Sequence, residues 1–265
     1  MTLVASDAGP AVALVRRPGP RVAEGLVENS ARVPVDASLA LTQWHGYVAA
    51  LHAAGWRTVE VAAADDCPDA VFVEDTVVMV DDVAVLTAPA RESRRPGVPG
   101  TAAALEALGC ATVALPAGAT LEGGDVLKSG RTVYVGRSDR TDDAGVAALA
   151  AVADEHGRQV VVVPVTKVLH LKSAITALSD GTVMGFEPLV DDPGVFADFL
   201  AVPEPEGAAV VLLGGSRLLV SAAAPRTADL LAARGWDPVP VAIGELEKLE
   251  GCVTCLSVRL RHLTP

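Results

Sequence analysis

Three side chains of this 265-residue sequence carry the reactive groups of covalent catalysis: the Cys255 thiol, the His170 imidazole and the Glu122 carboxylate. A thiolate is a strong nucleophile, an imidazole moves protons near neutral pH, and a carboxylate orients and charges the imidazole. Taken singly, each has an ordinary explanation. A cysteine in an apolar strand is a small hydrophobe, a histidine after the apolar run 160–165 is a core residue, and a Glu beside Gly-Gly belongs to a turn. Their contexts are Leu121-Glu122-Gly123-Gly124-Asp125, Val168-Leu169-His170-Leu171-Lys172 and Thr254-Cys255-Leu256-Ser257. In each case the reactive residue stands where a repeated unit of the chain begins its first strand, and this shared position raises the trio above chance.

A second group sets the charge of the ligand. Asp69 and Asp75, with Glu74 between them, flank the apolar segment Ala70-Val71-Phe72-Val73. Read as a strand, Asp69 and Asp75 share a face, and unpaired acids beside apolar residues call for a cation. A guanidinium fits. Its delocalised charge makes its carbon a poor electrophile, so carboxylates on its nitrogens must hold it in plane for attack by sulfur. Arg94 in Ser93-Arg94-Arg95 and Arg140 in Asp139-Arg140-Thr141 each follow a unit's second strand and could fork a substrate carboxylate. Cys252 forms a Cys-x-x-Cys pattern with Cys255, but a strand over 252–260 turns the two sulfurs to opposite faces. Neither a redox pair nor a zinc site is then expected.

These residues need a scaffold that brings distant segments to one axis. Strand-like pairs recur about tight turns: 71–80 with 83–88 about Asp81-Asp82, 125–128 with 132–136, 170–178 with 182–186, and 210–213 with Arg217–Ser221. Helix-like stretches at 39–54, 142–155 and 227–234 follow such pairs. The last strand, 252–260, has no partner after it, and 11–16 is the candidate to complete it. A hairpin-plus-helix unit repeated and closed in this way is a ring without exposed sheet edges. A doubly wound parallel sheet would show single strands between helices instead. The Pro-rich 202–207 is a surface loop, and residues 1–265 form one catalytic domain.

Composition agrees. The chain is 51% hydrophobic but only 3% aromatic, so Ala, Val and Leu must fill its layers. The net charge of -12 repels nucleic acid and anionic membranes. No signal peptide follows Met1, and Gly, Pro or charge interrupts every apolar stretch, so no membrane span is expected. Four scattered cysteines suit a reducing cytoplasm rather than a disulfide framework.

On these residues, together with Val15-Arg16 and Gly25-Leu26, the sequence resembles the dimethylarginine dimethylaminohydrolase family of the guanidine-modifying (pentein) superfamily over nearly its whole length. The resemblance implies a five-bladed, pseudo-symmetric α/β propeller of ββαβ units. It implies hydrolysis of Nω-methylated L-arginine to L-citrulline and methylamine or dimethylamine through a Cys-thiouronium intermediate, without cofactor or metal. By position Cys255 resembles the nucleophile, His170 the general acid/base and Glu122 its supporting carboxylate. Asp69, Glu74 and Asp75 match the guanidinium side, and Arg94 and Arg140 the substrate carboxylate. Leu26, in a lid over 25–36, and Leu249 match positions whose carbonyls meet the substrate amino group. The match departs at Ala208–Val211, where family members carry an Asn. Deiminases acting on arginine or agmatine and amidinotransferases share this chemistry, and a non-catalytic propeller that binds a partner shares the fold. The expected partner is a small molecule, and the expected assembly a monomer or homodimer.

Overall fold

The computed structural model describes residues 11–261; the start of the chain, on which the expectation of no leader rests, lies outside them. Fifteen strands form five three-stranded sheets. In every sheet two strands are antiparallel and a third joins the middle strand in parallel. Burial sets the radial order. The first strand of the second blade, Val77–Val80, is buried throughout, while its third, Ala111–Ala114, is largely exposed. Inner strands therefore line the axis and outer strands face solvent.

The ring closes as the unpaired ends suggest. Val258–Leu260 is the inner strand of the first blade and pairs antiparallel with Val12–Val15, which pairs in parallel with Arg57–Glu60. The expected helix at 39–54 is Ala37–Ala53, started by the Asp36 side chain, which accepts from Ser38 N–H and Leu39 N–H. It ends at Gly55, whose φ of 85° lets the Trp56 N–H return to Leu51 C=O. Gly109, Gly157 and Gly235 repeat this device after three further helices, each turning the chain into an outer strand. Those outer strands complete the ββαβ unit that the resemblance implies, although the residue pattern marked neither them nor the helix Val98–Ala107. In the blade of Ile175–Ala177, helical turns at Glu187–Leu189 and Pro193–Val195 replace the helix.

Apolar clusters fill the spaces between and around blades. Leu149 of the helix Asp143–Glu155, fully buried, packs with Val133 and Val135, and burying one such leucine contributes about 1.5–3 kcal/mol. Among the described residues no helix is long and apolar enough to cross a membrane.

Three expected strands are shorter than they read. In place of a strand over 71–80, Val73–Thr76 is a 3-10 turn leading into Val77–Val80. In place of 170–178, Leu171–Ala174 is a helical turn before Ile175–Ala177. In place of 252–260, only Val258–Leu260 is a strand. The reactive residues thus sit in the turns that lead into inner strands, not on the strands themselves.

Candidate active site

Those turns converge: donor atoms of Asp75, Glu122 and His170 lie within 4.8 Å of one another, and the Cys255 carbonyl accepts the N–H of Glu74, the neighbour of Asp75. Gly123–Asp125 is a 3-10 turn with Glu122 as its N-cap residue, and His170 is the N-cap residue of Leu171–Ala174. Asp125, fully buried, ties the two together: its Oδ1 accepts from Leu171 N–H (3.0 Å), and its Oδ2 from the hydroxyls of Ser138 (2.6 Å) and Thr141 (2.7 Å). The glycines beside Glu122 are there for space. A Cβ on Gly123 would strike the Glu74 carbonyl, and one on Gly124 would lie 2.5 Å from His170 Nδ1.

His170 Nε2 and Glu122 Oε2 are 2.8 Å apart with both residues buried. Burial opposes a charged imidazole, but the Asp75 charge, with Oδ1 3.8 Å from Nδ1, and the bond to Glu122 outweigh it and raise His170 to about 9. Burial likewise opposes the Glu122 carboxylate, and His170, Arg94 and Arg140 overcome it, taking Glu122 down to about 2. The pair is ionised at neutral pH.

Asp69 and Asp75 do converge, though by a turn rather than a shared strand face. Their common partner is Arg94. Arg94 Nη1 is 2.7 Å from Asp75 Oδ2 and 3.4 Å from Glu122 Oε2, and Nε is 3.4 Å from Asp69 Oδ2. Arg94 therefore does not stand open to a carboxylate as expected; its guanidinium fills the place between three acids. Arg140, fully buried, gives Nη1 to both Glu122 oxygens (3.2 Å each) and Nη2 to Glu28 Oε2 (2.8 Å). Glu28, on the lid, also takes a two-point bond from Arg91 (3.0 and 3.1 Å). The sequence reading passed over Asp125, Glu28 and Arg91. Asp125 had a signal, since it closes the same Glu-Gly-Gly-Asp run as Glu122.

Glu74 is corrected. Its Oε1 meets Lys172 Nζ (2.7 Å) and Arg259 Nη2 (3.3 Å), outside the cluster of acids around Arg94. The 3-10 turn separates neighbours 74 and 75. Leu26 presents its N–H to Asp69 Oδ1 (3.0 Å), fixing the lid to the site. The Leu249 side chain is wholly buried in the core, near Gly25.

Cys255 is 6% exposed, and its carbonyl accepts the Glu74 N–H (3.2 Å). Its thiol is held well above the ordinary value by the hydrogen bond to Cys252, by burial and by the charges of Cys252, Glu74 and Asp75. Cys252 is the second correction: its Sγ lies 3.3 Å from that of Cys255, because residues 252–255 form a turn and not a strand.

Asp75, Glu122 and His170 each offer a donor atom within 4.8 Å of one another, the residues best placed to hold a metal ion. Arg94 and Arg140 already neutralise the two acids, so an ion there would have to displace them. The arrangement suits nucleophilic attack on a planar cation, with proton transfer by a charged imidazole.

The sequence profile of the arginine deiminase family matches residues 112–210. The N(G),N(G)-dimethylarginine dimethylaminohydrolase of Streptomyces coelicolor is 61% identical over 251 residues, 95% of this chain and 97% of its own length. The dimethylarginine dimethylaminohydrolase of Pseudomonas aeruginosa, solved as a cysteine-to-serine mutant with citrulline, aligns with a TM-score of 0.87. It is 29% identical, covering 94% of this chain and 98% of that one. A dimethylarginine dimethylaminohydrolase with a histidine-to-glycine change, an adduct with S-methyl-L-thiocitrulline, also gives 0.87 at 28% identity, covering 94% and 99%.

Proposed function

The chain belongs to the dimethylarginine dimethylaminohydrolase family, and from that premise we propose how its own residues hydrolyse Nω-methylated L-arginine to L-citrulline and methylamine or dimethylamine. The observation that carries the reading is the buried His170–Glu122 pair at 2.8 Å with Asp75 3.8 Å from the same imidazole, an acid whose charge also acts on the Cys255 thiol.

The substrate guanidinium takes Asp75 and Glu122 from Arg94, and the released Arg94 turns with Arg140 to the substrate carboxylate. The cation favours the Cys255 thiolate, whose proton passes to solvent, and the sulfur attacks the guanidinium carbon and forms the C–S bond. His170 protonates the methylated nitrogen as the C–N bond breaks, leaving a thiouronium. A water that gives one proton to His170 attacks the same carbon; as the C–S bond breaks its second proton passes to the departing Cys255 sulfur, and citrulline leaves. Asp69 holds the lid through Leu26, and the carbonyls of Leu26 and Leu249 are assigned to the substrate amino group. All these groups come from one chain, so one protomer is a complete catalytic unit, alone or in a homodimer. A reducing cytoplasm keeps the Cys255 thiol available.

The test is a colorimetric citrulline assay over asymmetric dimethylarginine, monomethylarginine, arginine and agmatine, with a chelator present. Citrulline from the methylated substrates, abolished in Cys255→Ser with an unchanged circular dichroism spectrum, is the expected result. Turnover of arginine alone would overturn the substrate assignment, and loss on chelation would overturn the metal-free mechanism.

A further inference from the structure

The proximity of Cys252 to Cys255 has no part in the reaction described above. The two sulfurs are 3.3 Å apart, and the Cys255 N–H donates to the Cys252 carbonyl at 3.1 Å, closing a β-turn. A β-turn brings its end Cα atoms within about 7 Å, the span a disulfide requires. The turn is set from outside: Glu250 holds a φ of 60°, and a Cβ on Gly251 would collide with the Phe72 ring. Cys252 is partly exposed, whereas Cys255 is buried. Its other neighbours are Thr254 Oγ1 at 3.2 Å and the Lys172 carbonyl at 3.8 Å, neither of which blocks the approach of the sulfurs.

We propose that Cys252 and Cys255 form a reversible disulfide, a redox modification site that withdraws the nucleophile when a hydroperoxide is present. The proposal rests on Cys255 being the nucleophile. The two thiols share a hydrogen bond in which either sulfur can donate; when Cys255 donates, the bond favours the Cys252 thiolate and lowers that thiol below its ordinary value. The Cys252 thiolate attacks hydrogen peroxide: an S–O bond forms, the O–O bond breaks, and hydroxide leaves as water after taking a proton. Cys255 sulfur then attacks the sulfenic sulfur of Cys252. The S–S bond forms, the S–O bond breaks, and the departing hydroxide takes the Cys255 proton as a second water. Two thiols lose two electrons and one peroxide gains them. A dithiol reductant reverses the change, so Cys255 is spared oxidation to sulfinic acid.

The experiment treats the purified full chain with hydrogen peroxide and follows citrulline release, intact mass and peptide cross-links. Expected are a loss of two hydrogens, a cross-link between residues 252 and 255, and a fall in activity of at least about tenfold that dithiothreitol restores, because only the free thiolate is nucleophilic. Cys252→Ser keeps its turnover before oxidation but then gains oxygen on Cys255, and dithiothreitol does not fully restore it. Cys67→Ser and Cys110→Ser behave as the parent. Oxygen addition to Cys255 without the cross-link in the parent chain, or a cross-link to Cys67 or Cys110, would overturn the proposal. Mass and cross-links do not require turnover. A chain that forms the bond yet makes no citrulline counts against the proposed function, and one that turns over yet forms no bond counts against the switch.

Discussion

Glu122→Gln removes a charge at the centre of the site while keeping its shape. The carboxylate meets His170 at 2.8 Å, Arg140 at 3.2 Å and Arg94 at 3.4 Å, all buried. Taking one partner from a buried ionic cluster costs about 3–5 kcal/mol, because the remaining charges stay out of water. Arg94 keeps Asp75 and Asp69, but Arg140 keeps only the half-exposed Glu28. A second effect shows in the pH dependence. His170 is raised from 6.5 to about 9, so between those values the folded chain holds a proton that the unfolded chain has released. Stability from this group is therefore complete below 6.5 and lost as pH climbs through 9. The window caps the loss at about 3 kcal/mol, taking about 1.4 kcal/mol per pH unit. An opposite charge a few ångströms away is worth about 1–3 pK units, so the glutamine variant should narrow the window while Asp75 and Asp125 still raise His170. Urea unfolding from pH 6 to 9.5, followed by fluorescence of Trp44, Trp56 and Trp236, measures both, and imidazole NMR reads His170 directly. The expected outcome is a lower unfolding free energy at pH 7 and a flatter decline toward pH 9. Equal slopes in the two proteins, or a parent His170 titrating near 6.5, would refute the charge assignment.

Two further substitutions probe the geometry. Arg94→Ala should raise KM for methylated arginine about ten- to a hundredfold, since one charge-assisted contact is worth about 1.5–3 kcal/mol. Activity on a guanidine without a carboxylate should not fall, and equal losses on both would refute the exchange of partners. Gly124→Ala places a methyl 2.5 Å from His170 Nδ1 and 2.8 Å from Asp75 Oδ1. It should abolish citrulline formation and lower stability by about 1–3 kcal/mol in urea unfolding; near-parental activity would contradict the packing of that turn.

Repeat position singled out Glu122, His170 and Cys255 on the ground that a ring turns equal places in the chain into equal radii, and the structure brings Glu122 within 2.8 Å of His170. What it did not yield was the local backbone. Val71, Val73, Val77 and Val78 are buried on every side, so a 3-10 turn entering a strand carries the same β-branched run as the strand itself. The resemblance, not the strand reading, grouped Glu74 with Asp75, and the turn sends it instead to Lys172 and Arg259. Val253, Leu256 and Val258 made 252–260 read as extended, and the break at Glu250-Gly251 was the overlooked signal. Outer strands such as Arg57–Glu60 are short and half solvated, with no apolar pattern to find. Gly55, Gly109, Gly157 and Gly235, each two residues past a helix, did mark where they begin. Arg16 gave no signal of its task either. Fully buried, it holds the carbonyls of Ala62, Ala70 and Gly97, fastening the Asp69 turn to the Arg94 segment.

The charge count of the site explains why a buried cysteine can rest as a thiol and still serve as a nucleophile. Asp69, Asp75 and Glu122 bring three negative charges into contact with the positive charges of Arg94, Arg140 and His170. These six charges balance one another before any ligand arrives, Asp125 being held apart from them by the Leu171 N–H and the Ser138 and Thr141 hydroxyls. A Cys255 thiolate would add a negative charge opposed by that of Asp75. A methylated arginine carries one positive charge more than its negative charges, and bringing it in tips the balance the other way. Releasing the Cys255 proton restores it. On the proposed mechanism the substrate therefore makes its own nucleophile, and on the proposed switch the partly exposed Cys252 meets oxidants before the buried Cys255.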